Sequence, residues 1–194
     1  MPAVRPNRLI IGISGASGIV YGIRLLQILR NTPVETHLVI SRAAEIALAH
    51  ETNRKVAEVK AMADVHYAAS DIGAAISSGS YRTDGMIIAP CSIRSMSEIA
   101  SGVTSTLLTR AADVVLKERR RLVLMVRETP LHLGHLRTLA RLAEIGAIIV
   151  PPIPGFYHKP RTVDDIVNQS VGKALDALGV PNDLFKRWQG AKPS

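Results

Sequence analysis

The sequence predicts an α/β protein of three layers, in which helices flank a mostly parallel sheet. Two observations predict it. Short apolar runs alternate with stretches of helical periodicity along the chain, which is typical of strand–helix–strand units that form a parallel sheet. A glycine-rich turn, Gly12-Ile-Ser-Gly-Ala-Ser-Gly18, directly follows the first apolar run. Such a turn between a first strand and a helix is common in Rossmann- and flavodoxin-like folds, where backbone N–H groups meet a phosphate.

The first half of the chain gives the opening elements in order. The run from 8 to 14 is apolar and predicts a buried strand, and the apolar stripe of 18–30 predicts a helix. The β-branched run 36–40 predicts a second strand, and 43–50 a second helix. The pattern is weaker after these, and predicts a short strand at 65–67 and a helical turn at 71–76.

The second half continues the alternation. We expect strands at 85–89, 122–126 and 147–150, where apolar residues stand in a row. Helical spacing predicts helices at 94–119, 132–145 and 163–178, the first of them broken near Gly102. In a parallel sheet with right-handed crossovers, the C-terminal ends of all strands lie at one edge, where ligands bind.

Length and composition bound the class of protein. A chain of 194 residues with 47% hydrophobic content is long enough for one core, and we expect a single domain over 1–194. No window approaches the roughly 20 apolar residues of a membrane span, and the first residues do not resemble a secretory signal. A single cysteine, Cys91, excludes an internal disulfide and fits the cytoplasm.

The net charge of +8 indicates anionic partners. A nucleic-acid binder would carry aromatic residues among its bases, and only 4% of the residues are aromatic. We therefore expect phosphorylated small molecules and no nucleic acid.

The glycine-rich turn selects among nucleotide ligands. Its spacing is G-x-x-G-x-x-G and not the G-x-G-x-x-G of dinucleotide sites, and the second strand ends in Ser41-Arg42 without the acidic residue that holds a ribose. A Walker motif is absent as well. A mononucleotide such as FMN fits the turn, with Ser17 and Ser41 as neutral donors.

Polar residues follow two further strands. Pro90-Cys-Ser-Ile-Arg-Ser95 follows the 85–89 strand, and Arg127-Glu-Thr-Pro130 follows the 122–126 strand. Each could simply cap a helix, because Ser and Glu favour helix N-termini. Together with the glycine-rich turn after the first strand, these make three polar strand ends that converge on one edge. We therefore expect a ligand site at that edge.

These motifs, in this order, resemble the UbiX flavin prenyltransferases. The resemblance runs from about residue 8 to residue 189 and is carried by the three polar strand ends described above and by these further segments: Arg110-Ala-Ala-Asp-Val-Val-Leu-Lys-Glu-Arg-Arg120, Pro154-Gly-Phe-Tyr-His158 and 184–188. It implies transfer of a dimethylallyl group from dimethylallyl phosphate to N5 and C6 of reduced FMN. The product, prenylated FMN, is the cofactor of UbiD-type decarboxylases; the sequence leaves open whether that decarboxylase acts on a ubiquinone precursor or on phenolic acids.

The resemblance also implies roles for single residues. The flavin-binding set is Gly15, Ala16, Ser17, Ser41, Ser92, Ile93, Arg94, Ser95 and Arg127. The set around the allylic phosphate is Arg110, Lys117, Tyr157 and Lys173. Glu128 would act as proton donor or relay with the help of Ser17, and Trp188 would shield the allylic cation.

The family further implies a homo-oligomer, usually a dodecamer, whose subunits complete each other's sites, and catalysis without a metal. Fixed protein cations would then stabilise the leaving phosphate. One position departs from the family pattern, which has arginine where this sequence has Lys173. Lysine keeps the charge but not the bidentate geometry, so the affinity for the donor, or the choice of monophosphate or diphosphate, stays open.

Alternative functions use other residues. An FMN-dependent cysteine decarboxylase would need a mobile cysteine flap, and the lone Cys91 is better explained as a small buried residue at a strand end. A non-catalytic FMN carrier or assembly subunit of a hydroxyarylic acid decarboxylase would not need Glu128, Lys117 and Tyr157 together. His132 and His135 have a spacing that could bind a metal, but no third ligand accompanies them.

Overall fold

A computed structural model describes residues 7–190. Six strands form one sheet in which every neighbouring pair is parallel. The strands are β1 (Arg8–Ile13), β2 (Glu35–Ile40), β3 (Val65–Tyr67), β4 (Gly85–Cys91), β5 (Arg121–Val126) and β6 (Ala147–Ile149). Their spatial order is β3-β2-β1-β4-β5-β6. The predicted three-layer fold class is confirmed, and the order reverses between β1 and β4, the place where such sheets bind ligands.

Seven helices connect the strands in the described part of the chain. They are α1 (Ile19–Leu29), α2 (Arg42–Glu51), α3 (Val56–Lys60), α4 (Ile93–Ser101), α5 (Leu107–Lys117), α6 (Leu133–Glu144) and α7 (Val163–Leu178). A single 3-10 turn covers Ala75–Ser77. Within residues 7–190, no helix is both long and apolar enough to cross a membrane.

The core lies in two halves, one on each face of the sheet. Side chains from α1, α2, α3 and α7 pack on one face, around residues such as Ile11, Leu38 and Val171. Side chains from α4, α5 and α6 pack on the other face, around residues such as Ile10, Met86 and Leu108. Because β1 and β4 are covered on both faces, their sequences are continuously apolar and not alternating.

Several element boundaries differ from the prediction. The predicted break of the 94–119 helix near Gly102 is confirmed, because Gly102 ends α4 in a left-handed conformation with φ 70°, but five residues, 102–106, separate α4 from α5. The sequence pattern missed α3, whose single buried residue is Val59. β4 also continues through Pro90 to Cys91, beyond the predicted end at residue 89. The continuation brings Ser92 to the edge of the sheet, next to the end of β1.

Candidate active site

Four strand ends are fastened to one another at the C-terminal edge of the sheet. Ser14, which is 1% exposed, donates from its N–H and its hydroxyl to the Pro90 carbonyl, at 3.2 and 3.0 Å. Its Oγ accepts from the Ser92 N–H at 2.7 Å. The Ser41 N–H donates to the Ile13 carbonyl, and the Arg127 N–H to the Cys91 carbonyl. The ends of β1, β2, β4 and β5 therefore form one rigid platform.

A cavity of about 720 Å³ opens on this platform. All of the residues that the resemblance assigns to the flavin line it: Gly15, Ala16, Ser17, Ser41, Ser92, Ile93, Arg94, Ser95 and Arg127. Glu128 lines it too. The volume lies within the range of about 300–1,000 Å³ that is usual for small-molecule sites.

The two serines that follow β2 and β4 each cap a helix and also line the cavity. The Ser41 hydroxyl accepts from the Ala44 N–H and so caps α2, and the Ser92 hydroxyl accepts from the Ser95 N–H and so caps α4. Capping and lining the cavity are thus not alternatives here, because both residues do both. Each cap also directs the N-terminal end of its helix, which carries partial positive charge, toward the cavity.

The glycine-rich turn is explained by the protein as much as by a ligand. A Cβ on Gly15 would collide with the Ala43 methyl group at the start of α2, so the turn can lie this close only as glycine. Gly18 has φ 102°, a left-handed conformation that favours glycine. Glu51, which no sequence pattern indicated, accepts through Oε2 from the Gly18 and Ile19 N–H groups at 2.9 and 3.0 Å. The Glu51 carboxylate therefore caps the N-terminal end of α1. Residues 15–17 of the same turn line the cavity instead.

Glu98 also lines the cavity, and like Glu51 it was not predicted from the sequence. It accepts from the Ser105 hydroxyl at 2.6 Å and from Arg94 Nε at 2.8 Å. Burial raises the pKa of Glu98, but the hydrogen bonds from Ser105 and Arg94 outweigh burial and lower it overall. Glu98 is thus held as a carboxylate that fixes Arg94 and the loop between α4 and α5.

Glu128 lies at the end of β5 on the rim of the cavity. Its side chain is exposed and its Oε1 accepts from the Thr129 N–H at 3.0 Å. Ser17 also lines the cavity and is exposed. Both can exchange protons with a bound molecule, and neither is buried in the core.

Five predicted site residues do not line the cavity: Arg110, Lys117, Tyr157, Lys173 and Trp188. On α5, Arg110 donates to the Ser77 carbonyl at 3.2 Å and to Asp113 Oδ2 at 2.8 Å, and Lys117 pairs with Glu118. The Tyr157 and Trp188 rings lie edge to face, with centroids 6.1 Å apart, and Lys173 is an exposed residue of α7. All five belong to surfaces outside the cavity of their own chain.

Cys91 is not a nucleophile in this fold. It is fully buried, and burial raises the pKa of its thiol to about 12. At neutral pH the thiol is therefore protonated and out of reach of a substrate. This agrees with the expectation that Cys91 is a packing residue.

The histidine pair at the start of α6 has a structural role. His132 Nδ1 accepts from the N–H groups of Gly134 and His135 and so caps the helix. The two rings stack at 3.5 Å. Across residues 7–190, no group of three or more His, Cys, Asp or Glu side chains is arranged to hold a metal ion.

Comparisons with known proteins relate this chain to flavin-binding proteins. The sequence matches the family model described as Flavoprotein over residues 3–175. It is 62% identical over 188 residues to the flavin prenyltransferase UbiX of Escherichia coli strain K12, an alignment that covers 95% of this chain and 100% of the relative.

Two solved structures share the fold of this chain. The crystal structure of AnUbiX (PadA1) in complex with FMN and dimethylallyl pyrophosphate superposes with a TM-score of 0.95 at 45% identity, over 97% of this chain and 100% of that one. A dodecameric FMN-dependent UbiX-like decarboxylase from Escherichia coli O157:H7 superposes with a TM-score of 0.92 at 48% identity, over 94% of this chain and 100% of that one.

Proposed function

The chain belongs to the flavoprotein family and, within it, to the UbiX flavin prenyltransferases, and we propose that it transfers a dimethylallyl group from dimethylallyl phosphate to N5 and C6 of reduced FMN. The observation that carries this proposal is the cavity at the point where the strand order reverses. It lies in a chain that is 62% identical to a UbiX enzyme over the full length of that enzyme. The product, prenylated FMN, would serve a UbiD-type decarboxylase.

The residues of the cavity suit a flavin mononucleotide. Its walls offer serine hydroxyls, two helix N-termini and the cations Arg94 and Arg127, which together match an isoalloxazine with its polar edge and a phosphate. FMN would be held by the nine predicted flavin-binding residues. We add Glu98, which accepts from Arg94 Nε and so orients Arg94. When bound, reduced FMN supplies the nitrogen and carbon atoms that receive the prenyl group.

Glu128 and Ser17 are the proposed proton-transfer residues. Glu128 lines the cavity and accepts from the Thr129 N–H through Oε1, and its Oε2 is the atom proposed to donate or accept the proton. Ser17, on the glycine-rich turn, has a hydroxyl that can relay the proton. Their positions at the ends of β5 and β1 keep both groups on the rigid platform.

Protein cations are proposed to stabilise the departing phosphate. Breaking the allylic C–O bond leaves both electrons on the phosphate, so charge develops where Arg110, Lys117, Tyr157 and Lys173 would bind. A divalent metal is not part of this proposal. Trp188 would cover the carbon fragment, because its ring face attracts positive charge.

The cations have to come from other copies of the chain. Arg110 and Lys117 lie on α5 and Lys173 on α7, all outside the cavity of their own chain. We therefore propose a homo-oligomer, in agreement with the dodecameric relative, in which neighbouring copies complete each cavity. A cytoplasmic location is part of the same proposal and rests on the single cysteine of the sequence.

One experiment tests the reaction. The purified protein is mixed anaerobically with reduced FMN and dimethylallyl phosphate, and the flavin is analysed by mass spectrometry and absorbance. We expect the flavin to gain one prenyl unit, equally well after treatment with a chelator. An unchanged flavin would indicate a carrier, and loss of the product after chelation would contradict the metal-independent mechanism.

A further inference from the structure

We propose that the turn Ser78-Gly79-Ser80 supplies hydroxyl donors to the phosphate of the prenyl donor, beside Arg110 and Lys117. We call these three residues the serine turn; they lie between the 3-10 turn and β4 and do not line the flavin cavity. The inference rests on the proposed function, in which the two α5 cations bind the donor, and it adds further residues to that phosphate site.

The serine turn lies across the gap between the two cations. Arg110 and Lys117 stand seven residues apart on α5, close to two helical turns or about 10 Å along the helix axis. Arg110 Nε donates to the carbonyl of Ser77, the residue just before the serine turn, at 3.2 Å. A Cβ placed on Gly79 would lie 2.8 Å from Lys117 Nζ. An anion that contacts both cations would therefore lie beside Ser78, which stands between these two contacts.

The backbone of the serine turn is fixed by hydrogen bonds within the chain. Arg120, which follows α5, donates to the Gly79 carbonyl at 2.6 Å and to the Tyr81 carbonyl at 2.9 Å. The Ser78 carbonyl accepts from the Tyr81 N–H at 3.2 Å. The carbonyl oxygens of Ser78 and Gly79 are thus already paired, and the hydroxyls are the groups that the turn can offer to an anion. A turn held in this way loses little freedom when it binds.

The two hydroxyls of the turn are exposed and side by side. Ser78 Oγ and Ser80 Oγ are 2.9 Å apart and hydrogen-bond to each other. Within residues 7–190, neither hydroxyl bonds to any other group, so the fold does not depend on them. The hydrogen of a hydroxyl rotates to suit its partner, and both can turn toward phosphate oxygens. Because hydrogen bonds to a charged acceptor are stronger than those between two hydroxyls, a phosphate would replace the serine pair.

The α5 cations retain donors for the same anion. Arg110 bonds through Nε to Ser77 and through Nη1 to Asp113, and its Nη2 has no hydrogen-bond partner in the described part of the chain. The Lys117 ammonium has three donors, and its pair with Glu118 uses one of them. Both ion pairs are partly exposed, so a phosphate can compete with the two carboxylates.

Glycine at position 79 is what lets the turn reach Lys117. A Cβ there would collide with the Glu118 carboxylate and crowd the Lys117 ammonium. These atoms are the ends of flexible side chains, so a larger residue would displace them and leave the fold intact. Since the serine turn and α5 belong to one chain and are bonded to each other, the serines accompany the cations to whichever cavity those cations complete.

The double variant Ser78→Ala/Ser80→Ala tests the two donors, with Ser101→Ala as the matched control. Ser101 is an exposed serine of α4 that does not line the cavity. Oxidised FMN cannot be alkylated in the proposed reaction, so titrating the complex of protein and oxidised FMN with dimethylallyl phosphate measures affinity alone. We expect the dissociation constant to rise about 10-fold or more, because hydrogen bonds to a charged group are lost. FMN affinity and the circular dichroism spectrum should not change, and Ser101→Ala should bind the donor normally.

Two further measurements separate the phosphate contact from a change of shape. Inorganic phosphate, used as a competitor, should lose about the same factor in affinity, because the serines touch the phosphate and not the carbon chain. Ser78→Thr/Ser80→Thr keeps both hydroxyls and should recover most of the affinity. Gly79→Ala keeps both serines but displaces Lys117, and we expect about 3–10-fold weaker donor binding with FMN affinity unchanged.

Three results would overturn the inference: full donor affinity in a folded Ser78→Ala/Ser80→Ala variant, an equal loss in Ser101→Ala, or no donor binding by the unaltered protein. Prenyl transfer to reduced FMN is assayed alongside. Normal transfer together with full donor affinity in the double variant would refute the serine turn and leave the proposed reaction standing. An unaltered protein that binds the donor through these serines and yet forms no prenylated flavin would do the reverse.

Discussion

The cavity and the cation row of α5 are built in opposite ways. The cavity lies among strand ends that are bonded directly to each other, and the whole predicted flavin-binding set of one chain lines it. The cation row, Arg110 and Lys117, lies on a helix surface outside that cavity, and each cation is held by a carboxylate of its own chain, Asp113 or Glu118. Flavin binding should therefore be a property of the single chain, and prenyl transfer a property of the assembly.

The cations of the two regions lie in different places but are held in a similar way. In the cavity, Glu98 accepts from Arg94 Nε, and the Arg94 side chain is 80% exposed. On α5, the pairs of Arg110 and Lys117 are partly exposed as well. The attraction within such pairs is weak in water, so a phosphate can compete for the cations in both regions.

Glu128→Gln gives the largest expected effect and isolates the chemistry from flavin binding. Because the proposed proton donor is lost while the shape is kept, prenyl transfer should slow by about 10²–10⁴-fold with FMN affinity unchanged. Single-turnover absorbance measures the first quantity and fluorescence titration the second. Glu45→Gln, whose carboxylate pairs with Lys60 outside the cavity, is the control and should react normally. Unaltered turnover of Glu128→Gln would remove this residue from the mechanism.

Arg110→Ala tests whether the cation row serves the donor and not the flavin. We expect kcat/KM for dimethylallyl phosphate to fall by roughly 10–100-fold, since one charged hydrogen bond to the phosphate is lost. FMN binding should not change. Arg82→Ala removes an exposed cation that does not line the cavity and should leave both quantities unaltered. A matching loss of FMN affinity in Arg110→Ala would contradict the division between the two regions.

Gly15→Ala tests the rigidity of the cavity. The added methyl group collides with Ala43, so we expect the free energy of unfolding to fall by about 1–3 kcal/mol, together with weaker FMN binding. Denaturant unfolding measures the change. The double variant Gly15→Ala/Ala43→Gly removes the colliding atom and should recover most of the loss. If the double variant is no more stable than the single one, the collision is not the cause.

Asp176→Asn gives the smallest effect and concerns the C-terminal segment that carries Trp188. The Arg187 guanidinium donates to both Asp176 carboxylate oxygens at 2.8 Å and lowers the pKa of Asp176. The depressed pKa means that this pair stabilises the fold above the ordinary value of about 3.9 and that the contribution is lost as pH falls through the lower folded-state pKa. At pH 7 the variant should melt about 1–3 °C lower than the unaltered protein, and the difference should shrink as the pH falls below about 3.9 and vanish once the pH is below the lowered folded-state pKa of Asp176. A constant difference at all pH values would contradict this origin.

The central strands β1 and β4 could be predicted from the sequence because they are buried on both faces and therefore read as nearly unbroken apolar runs. The weaker elements could not. The five residues of α3 bury one side chain, which is too few for a visible period, and the 3-10 turn at Ala75–Ser77 is shorter than the predicted 71–76. The break between α4 and α5 was visible because Gly102 marks it, although its length was not.

The residues of the candidate site also divide into those that the sequence predicted and those that it did not. Ser41, Ser92 and Arg127 could be expected at one edge because each stands within three residues of the end of a predicted strand. Glu51 gave no such signal, since it lies 33 residues from the glycine whose N–H it accepts. Glu98 stands in the middle of a helix, where its spacing resembles that of any exposed residue.

By itself, the sequence determined which segments are strands and that their polar ends share one edge, because hydrophobic period and strand direction are local properties of the chain. The tertiary structure alone decided which carboxylates reach the cavity and that the α5 cations stay outside it. Those relations join residues that are far apart along the chain, and no local spacing encodes the distance between them.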